Sequence, residues 1–134
     1  MSNQPQTRSH SITLVRDSGK ESPIIASIYK HTYGVYRDHG NELKMFMKDI
    51  RLLNETVTGE SDRRIADGMG CLAAQLIKSL KKKPGEVYMI PTGMSQNEDF
   101  TYDVYTDKGH ICVTSTNNAS KQIKYILPDV HGVR

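Results

Sequence analysis

The sequence predicts an α+β domain, a mainly antiparallel sheet with two helices packed on one face, and three observations carry that prediction. Segments near both ends alternate apolar and polar residues with the period of a strand, two segments between them repeat apolar residues at helical spacing, and turn-forming residues separate the runs. At 134 residues, with 37% hydrophobic and 25% charged composition, the chain is sized for one domain with one core.

Residues 1–10 are polar and aperiodic and are expected to be a disordered lead-in to a single domain spanning 11–134. Ile12 to Arg16 and Ile24 to Tyr29 are rich in β-branched residues, and Asp17, Ser18 and Gly19 supply turn chemistry between them, so they read as a hairpin. From Asn41 to Leu53 the residues Leu43, Phe46, Met47, Ile50 and Leu53 recur every three or four positions, as one face of a helix demands. A second helix is predicted from the stripe Ile65, Met69, Leu72, Ala73, Leu76, Ile77 and Leu80, capped by Ser61 or Asp62 and ended by Pro84-Gly85. Period two then returns in Val87 to Ile90 and in Phe100 to Tyr105. Thr106 to Gly109 reads as a hairpin loop into Ile111 to Thr114, Asn117-Asn118 as a turn, and Lys121 to Ile126 as a last strand before Pro128. The expected order is ββ-α-α-ββββ.

Charge and cysteine usage exclude several classes. A formal net charge of +3 is too small for a duplex-DNA binder, which must replace condensed counterions with a strongly basic face. Cys71 and Cys112, the two cysteines, lack the close spacing of zinc or redox motifs and are expected to be reduced core thiols. Met1 to His10 lack the apolar run of a signal peptide and no stretch suits a bilayer span, so a cytoplasmic protein with no membrane partner is expected.

The candidate chemistry concerns anions and rings. Arg63 and Arg64 are predicted in the first turn of the long helix, where the dipole disfavours cations. Either they meet a phosphate together with free helical N–H groups, or Glu60 and Asp62 neutralise them. The stretch Tyr29 to Gly40 concentrates tyrosines, histidines, cations and glycines after a strand, which suits a binding loop or a packed loop whose tyrosines cover the core edge. His31 and His39 have no metal-ligand spacing, and no metal or other cofactor is expected. A phosphodiesterase pair of His-x-Ser/Thr motifs fails on residue type, since Tyr33 and Cys112 stand where hydroxyls are needed after His31 and His110. Lys81 to Lys83 suit the negative end of a helix without a ligand. Tyr88 and Tyr102 are core strand residues or, if exposed beside a cation, stacking platforms.

Ile28, Tyr29, His31, Gly34, His39 and Gly40, followed by Gly68, Gly70, Leu72, Ala73, Ala74 and Gln75, match a pattern carried by a set of small phage and bacterial proteins. Lys30, Tyr33 and Asp67 depart from it, standing where the pattern has Arg, Asp and Asn. By this layout the chain resembles the viral anti-Thoeris sponge family, whose members sequester the cyclic ADP-ribose isomers made by a bacterial TIR enzyme and do not cleave them. The resemblance implies a non-enzymatic anti-defence protein of the host-cell cytoplasm. It implies a phosphate contact at Arg63, an adenine stacked on Tyr88, and polar contacts to base and ribose from Asn97, Asp99 and Lys121. Lys30, His31 and Gly34 would serve a second ligand class, cyclic oligonucleotides. Tight sequestration favours a site enclosed between subunits, so a homo-oligomer is expected. The alternatives are a protein-binding inhibitor of a host factor, a small nucleic-acid-binding accessory protein, and a nucleotide hydrolase with His31 or His39 as base.

Overall fold

The computed structural model describes residues 9–53, 65–94 and 98–128. Strands β1 (Ser11–Arg16) and β2 (Ile24–Lys30) form the predicted antiparallel hairpin, with a bulge between Val15 and Arg16. A five-residue π-helical turn, Tyr36–Gly40, runs into helix α1 (Asn41–Met47). Strand β3 (Arg51–Leu53) pairs in parallel with β4 (Ile65–Asp67), helix α2 covers Gly68–Leu80, and strands β5 (Val87–Met89), β6 (Phe100–Asp107), β7 (His110–Asn117) and β8 (Ile123–Leu127) follow.

Six strands make one sheet in the order β5-β2-β1-β6-β7-β8, and β3-β4 form a separate ribbon. Every pairing in the large sheet is antiparallel except that of the central strands β1 and β6. The register sets Val15, Ala26, Ile28, Tyr102, Val104 and Val113 on one face. There they join Leu43 and Met47 of α1 and Met69, Leu72, Ala73, Leu76 and Leu80 of α2 in one core cluster. The opposite face carries Ile12, Tyr29, Asp103, Tyr105, Cys112, Tyr88 and Tyr125, and an Arg16–Asp103 ion pair at 2.9 Å crosses it.

Both helices are shorter than their apolar patterns predict. In the first, Leu43 and Met47 are buried as expected, but the chain becomes extended at Arg51–Leu53. Leu52, which the helical stripe left out, packs against the core from that strand. In the second, Ile65–Asp67 is strand, held by pairing with β3. The turn into α2 is made at Gly68, whose φ of +84° a residue with a Cβ rarely adopts. Asp67 takes the N-cap position without a side-chain cap, in place of Ser61 or Asp62.

The β6–β7 turn is the two-residue Lys108-Gly109, both at positive φ, the conformation that matches the twist of paired strands. Asn117 shapes the next turn by accepting hydrogen bonds from the N–H groups of Ala119 and Ser120.

Candidate functional site: an exposed ring surface

Side-chain alternation divides the histidine- and tyrosine-rich stretch between the two faces of the sheet. Tyr29 points to the face opposite the helices, as does Tyr88, its cross-strand partner on β5. Their rings lie 6.2 Å apart between centroids. His10 stacks near Tyr29 at 6.0 Å with 19° between planes, and His31 closes the group, 5.0 Å from His10 and 6.2 Å from Tyr29. Tyr88 is 48% exposed and His31 is exposed, so the rings form a continuous surface open to solvent.

Backbone and side-chain bonds hold that surface in place. His10 Nδ1 lies 2.6 Å from the carbonyl of His31, and because a carbonyl only accepts, the imidazole proton is on Nδ1. Nε2 is left as the second functional nitrogen of the ring. The His10 N–H donates to Asp99 Oδ2 and the Asp99 N–H donates back to the His10 carbonyl, both at 2.9 Å. The His31 N–H donates to the Glu86 carbonyl. Lys81 Nζ sits 5.5 Å from the centre of the Tyr88 ring while donating to the carbonyls of Gly85 and Val87. Burial, with the negative charges of Glu98 and Asp99 nearby, raises the pKa of Tyr29 and keeps its phenol protonated.

The sequence candidates divide as follows. His31 and Tyr88 meet through Tyr29, and Asp99 supports them through His10. Lys30 is on the other face. Its Nζ donates to the Thr32 carbonyl and approaches the Tyr33 ring, beside an open groove with Arg37, Asn41 and Met45. Gly34 is a close-approach glycine: a Cβ there would stand 2.9 Å from the carbonyl carbon of His10, and its own carbonyl accepts from Tyr102 Oη at 2.7 Å. Lys121, at a φ of +66°, closes the β7–β8 turn through its N–H to the Asn117 carbonyl. Arg63 and Asn97 lie outside the described residues. The premise for Arg63 as a helix-terminal phosphate ligand is nonetheless corrected, because α2 begins at Gly68 after a strand rather than at Asp62.

His39, a candidate base in the hydrolase alternative, is 1% exposed within the core. Its Nε2 pairs with Thr13 Oγ1 and its Nδ1 with Glu42 Oε1, both at 2.9 Å, and its ring meets Tyr102 edge-on at 4.9 Å. Burial lowers its pKa despite Glu42, so the imidazole is neutral, donating from Nδ1 to Glu42 and accepting from Thr13 at Nε2. Burial alone would raise the Glu42 pKa, but the hydrogen bond from His39, helped by the positive charges of Lys30 and Lys82, outweighs it and the net shift is downward. Sequence reasoning missed His10 as a member of the ring surface and Lys81 as its cation. The signal for His10 was one of parity, since extending β1 by one residue puts it on the face of Ile12.

Among the described residues no three His, Cys, Asp or Glu side chains group to hold a metal ion, and no helix is long and apolar enough to cross a membrane. No protein-family model, curated protein or solved structure matches the chain.

Proposed function

We propose that this protein binds and sequesters a compact nucleotide of the cyclic ADP-ribose class without cleaving it, stacking the base on the surface formed by Tyr88, Tyr29, His31 and His10. The observation that carries this reading is the half-exposed Tyr88 ring, flanked by other rings on one side and by the Lys81 ammonium on the other. A planar heterocycle gains about 1–3 kcal/mol from each such stacking partner, and an adjacent cation suits a phosphorylated ligand. The neutral, enclosed state of His39 supports a binding role over hydrolysis, since that imidazole is engaged at both nitrogens away from solvent. In this reading the protein acts in the cytoplasm of an infected cell, where such signals are made, and counters TIR-dependent defence.

Isothermal titration with cyclic ADP-ribose isomers, followed by heating and chromatography of the released material, tests the proposal. Binding with intact recovery is expected, and Tyr88→Ala is expected to weaken it by about 1–3 kcal/mol. Release of a linear product would identify an enzyme, and failure of every isomer to bind would overturn the reading.

A second reading, a protein-binding inhibitor of a host factor, is favoured by Ile123 and Tyr125, both more than half exposed on the outer strand β8. The same patch would serve the homo-oligomer that tight sequestration favours. Native mass spectrometry of the protein alone and in lysate distinguishes self-assembly from capture of another chain.

A further inference from the structure

A crevice of about 700 Å³ opens at the opposite end of the β6–β7 hairpin from the ring surface, and its chemistry is different. Its floor is apolar: Met47 at the end of α1 and Leu127 of β8 are buried there, and Ile50, Leu52 and Ile111 form half-buried walls. Its mouth is cationic. Lys48, Arg51, Lys108 and His110 are exposed around it, and Asp107 is the single carboxylate among the described lining residues.

We propose that this crevice is a binding site for a single-chain aliphatic anion, a medium-chain carboxylate whose head meets the cationic mouth and whose alkyl chain lies on the apolar floor. The size fits a small-molecule site, and an apolar lining with a few convergent charges is the usual composition of one. The head group is chosen by charge complementarity, with three cationic side chains and a histidine against one carboxylate among the described residues. Arg51 offers a guanidinium fork that matches a carboxylate. The body is chosen by what lines the floor. Among the described residues no aromatic ring lines the floor, His110 standing at the mouth, so a planar body finds no stacking partner there. Methionine, leucine and isoleucine side chains conform instead to a flexible chain. Asp107 at the rim and the short Lys108-Gly109 turn set one side of the mouth, so the site discriminates by head-group charge rather than by a buried ion pair.

The test is methyl NMR of the full chain titrated with decanoate, decanol and decylammonium. Decanoate is expected to shift the Met47, Ile50, Ile111 and Leu127 methyl signals saturably, and decylammonium is expected to leave them in place. The double variant Arg51→Glu, Lys108→Glu, with both changes at exposed positions, is expected to weaken decanoate binding at least about tenfold while leaving the spectrum of the core unchanged. Equal responses to decanoate and decylammonium, or shifts confined to Ile25 and Ile123 on the open sheet face, would overturn the proposal. A cyclic nucleotide should leave these four methyl signals unshifted, so the two sites stand or fall separately.

Discussion

The two faces of the sheet use the same residue types to opposite ends. On the helix face His39 and Tyr102 are buried, mutually packed and fully engaged in hydrogen bonds to Thr13, Glu42 and Gly34. On the other face His10, His31, Tyr29 and Tyr88 also touch one another, but their contacts leave ring area open to solvent. Composition does not separate a structural cluster from a candidate binding surface. Strand parity and the position of the helices do, because a ring covered by α1 has nothing left to offer a ligand.

The comparison breaks most visibly if the buried cluster can be emptied without cost. His39→Ala is expected to destabilise the fold by about 3 kcal/mol, combining a cavity with unmet hydrogen bonds at Thr13 and Glu42, whereas Tyr88→Ala should stay within about 0.5 kcal/mol of the parent. Urea midpoints measured side by side decide this, and equal losses would erase the distinction. Gly34→Ala should cost about 2 kcal/mol, because the new Cβ meets backbone of His10 that cannot move aside cheaply. Since that shift also disturbs His10, its loss of stability should be accompanied by weaker ligand binding.

A pH titration sharpens the contrast further. The folded-state pKa of His39 lies below its ordinary value of 6.5, so as pH falls through 6.5 the unfolded chain takes up a proton that the native imidazole refuses. Stability should therefore decline from about pH 6.5 downward, and this part of the decline should vanish in His39→Gln. Glu42, with its pKa held below the ordinary 4.5, adds a further loss at still lower pH as its carboxylate is forced to protonate. The smallest effect is expected at Lys121. Relieving its positive φ with Lys121→Gly should stabilise by about 0.5–1 kcal/mol, and an unchanged ligand affinity in that variant would assign the residue to the turn rather than to the site.

Much of the sheet was legible because it rests on local signals. The β1–β2 hairpin, the Lys108-Gly109 turn and the run from Phe100 to Leu127 follow from alternation and turn chemistry between neighbours in sequence. The β3–β4 ribbon was not, since each strand is three residues long and its pairing is a tertiary choice that overrides helical spacing at Leu53 and Ile65. Of the candidate site, Tyr88 and His31 were named from the sequence. The division of Lys30 from His31 needed the strand, and the burial of His39 needed α1 and the π-helical turn to be set against β1. Resemblance placed Gly34 in a ligand loop, yet here close packing against His10 and the bond from Tyr102 account for it.

The parallel contact between β1 and β6 joins Ser11 to Phe100 at the middle of the sheet. During synthesis the first hairpin therefore leaves the ribosome with both of its edges unmatched, and the strands that complete it, β5 and β6, are made only after both helices. Closing so long a loop before any reward is collected slows folding and prolongs the exposure of an apolar edge. The nascent chain thus passes through a vulnerable interval, in which strand-for-strand exchange between neighbouring chains competes with intramolecular closure.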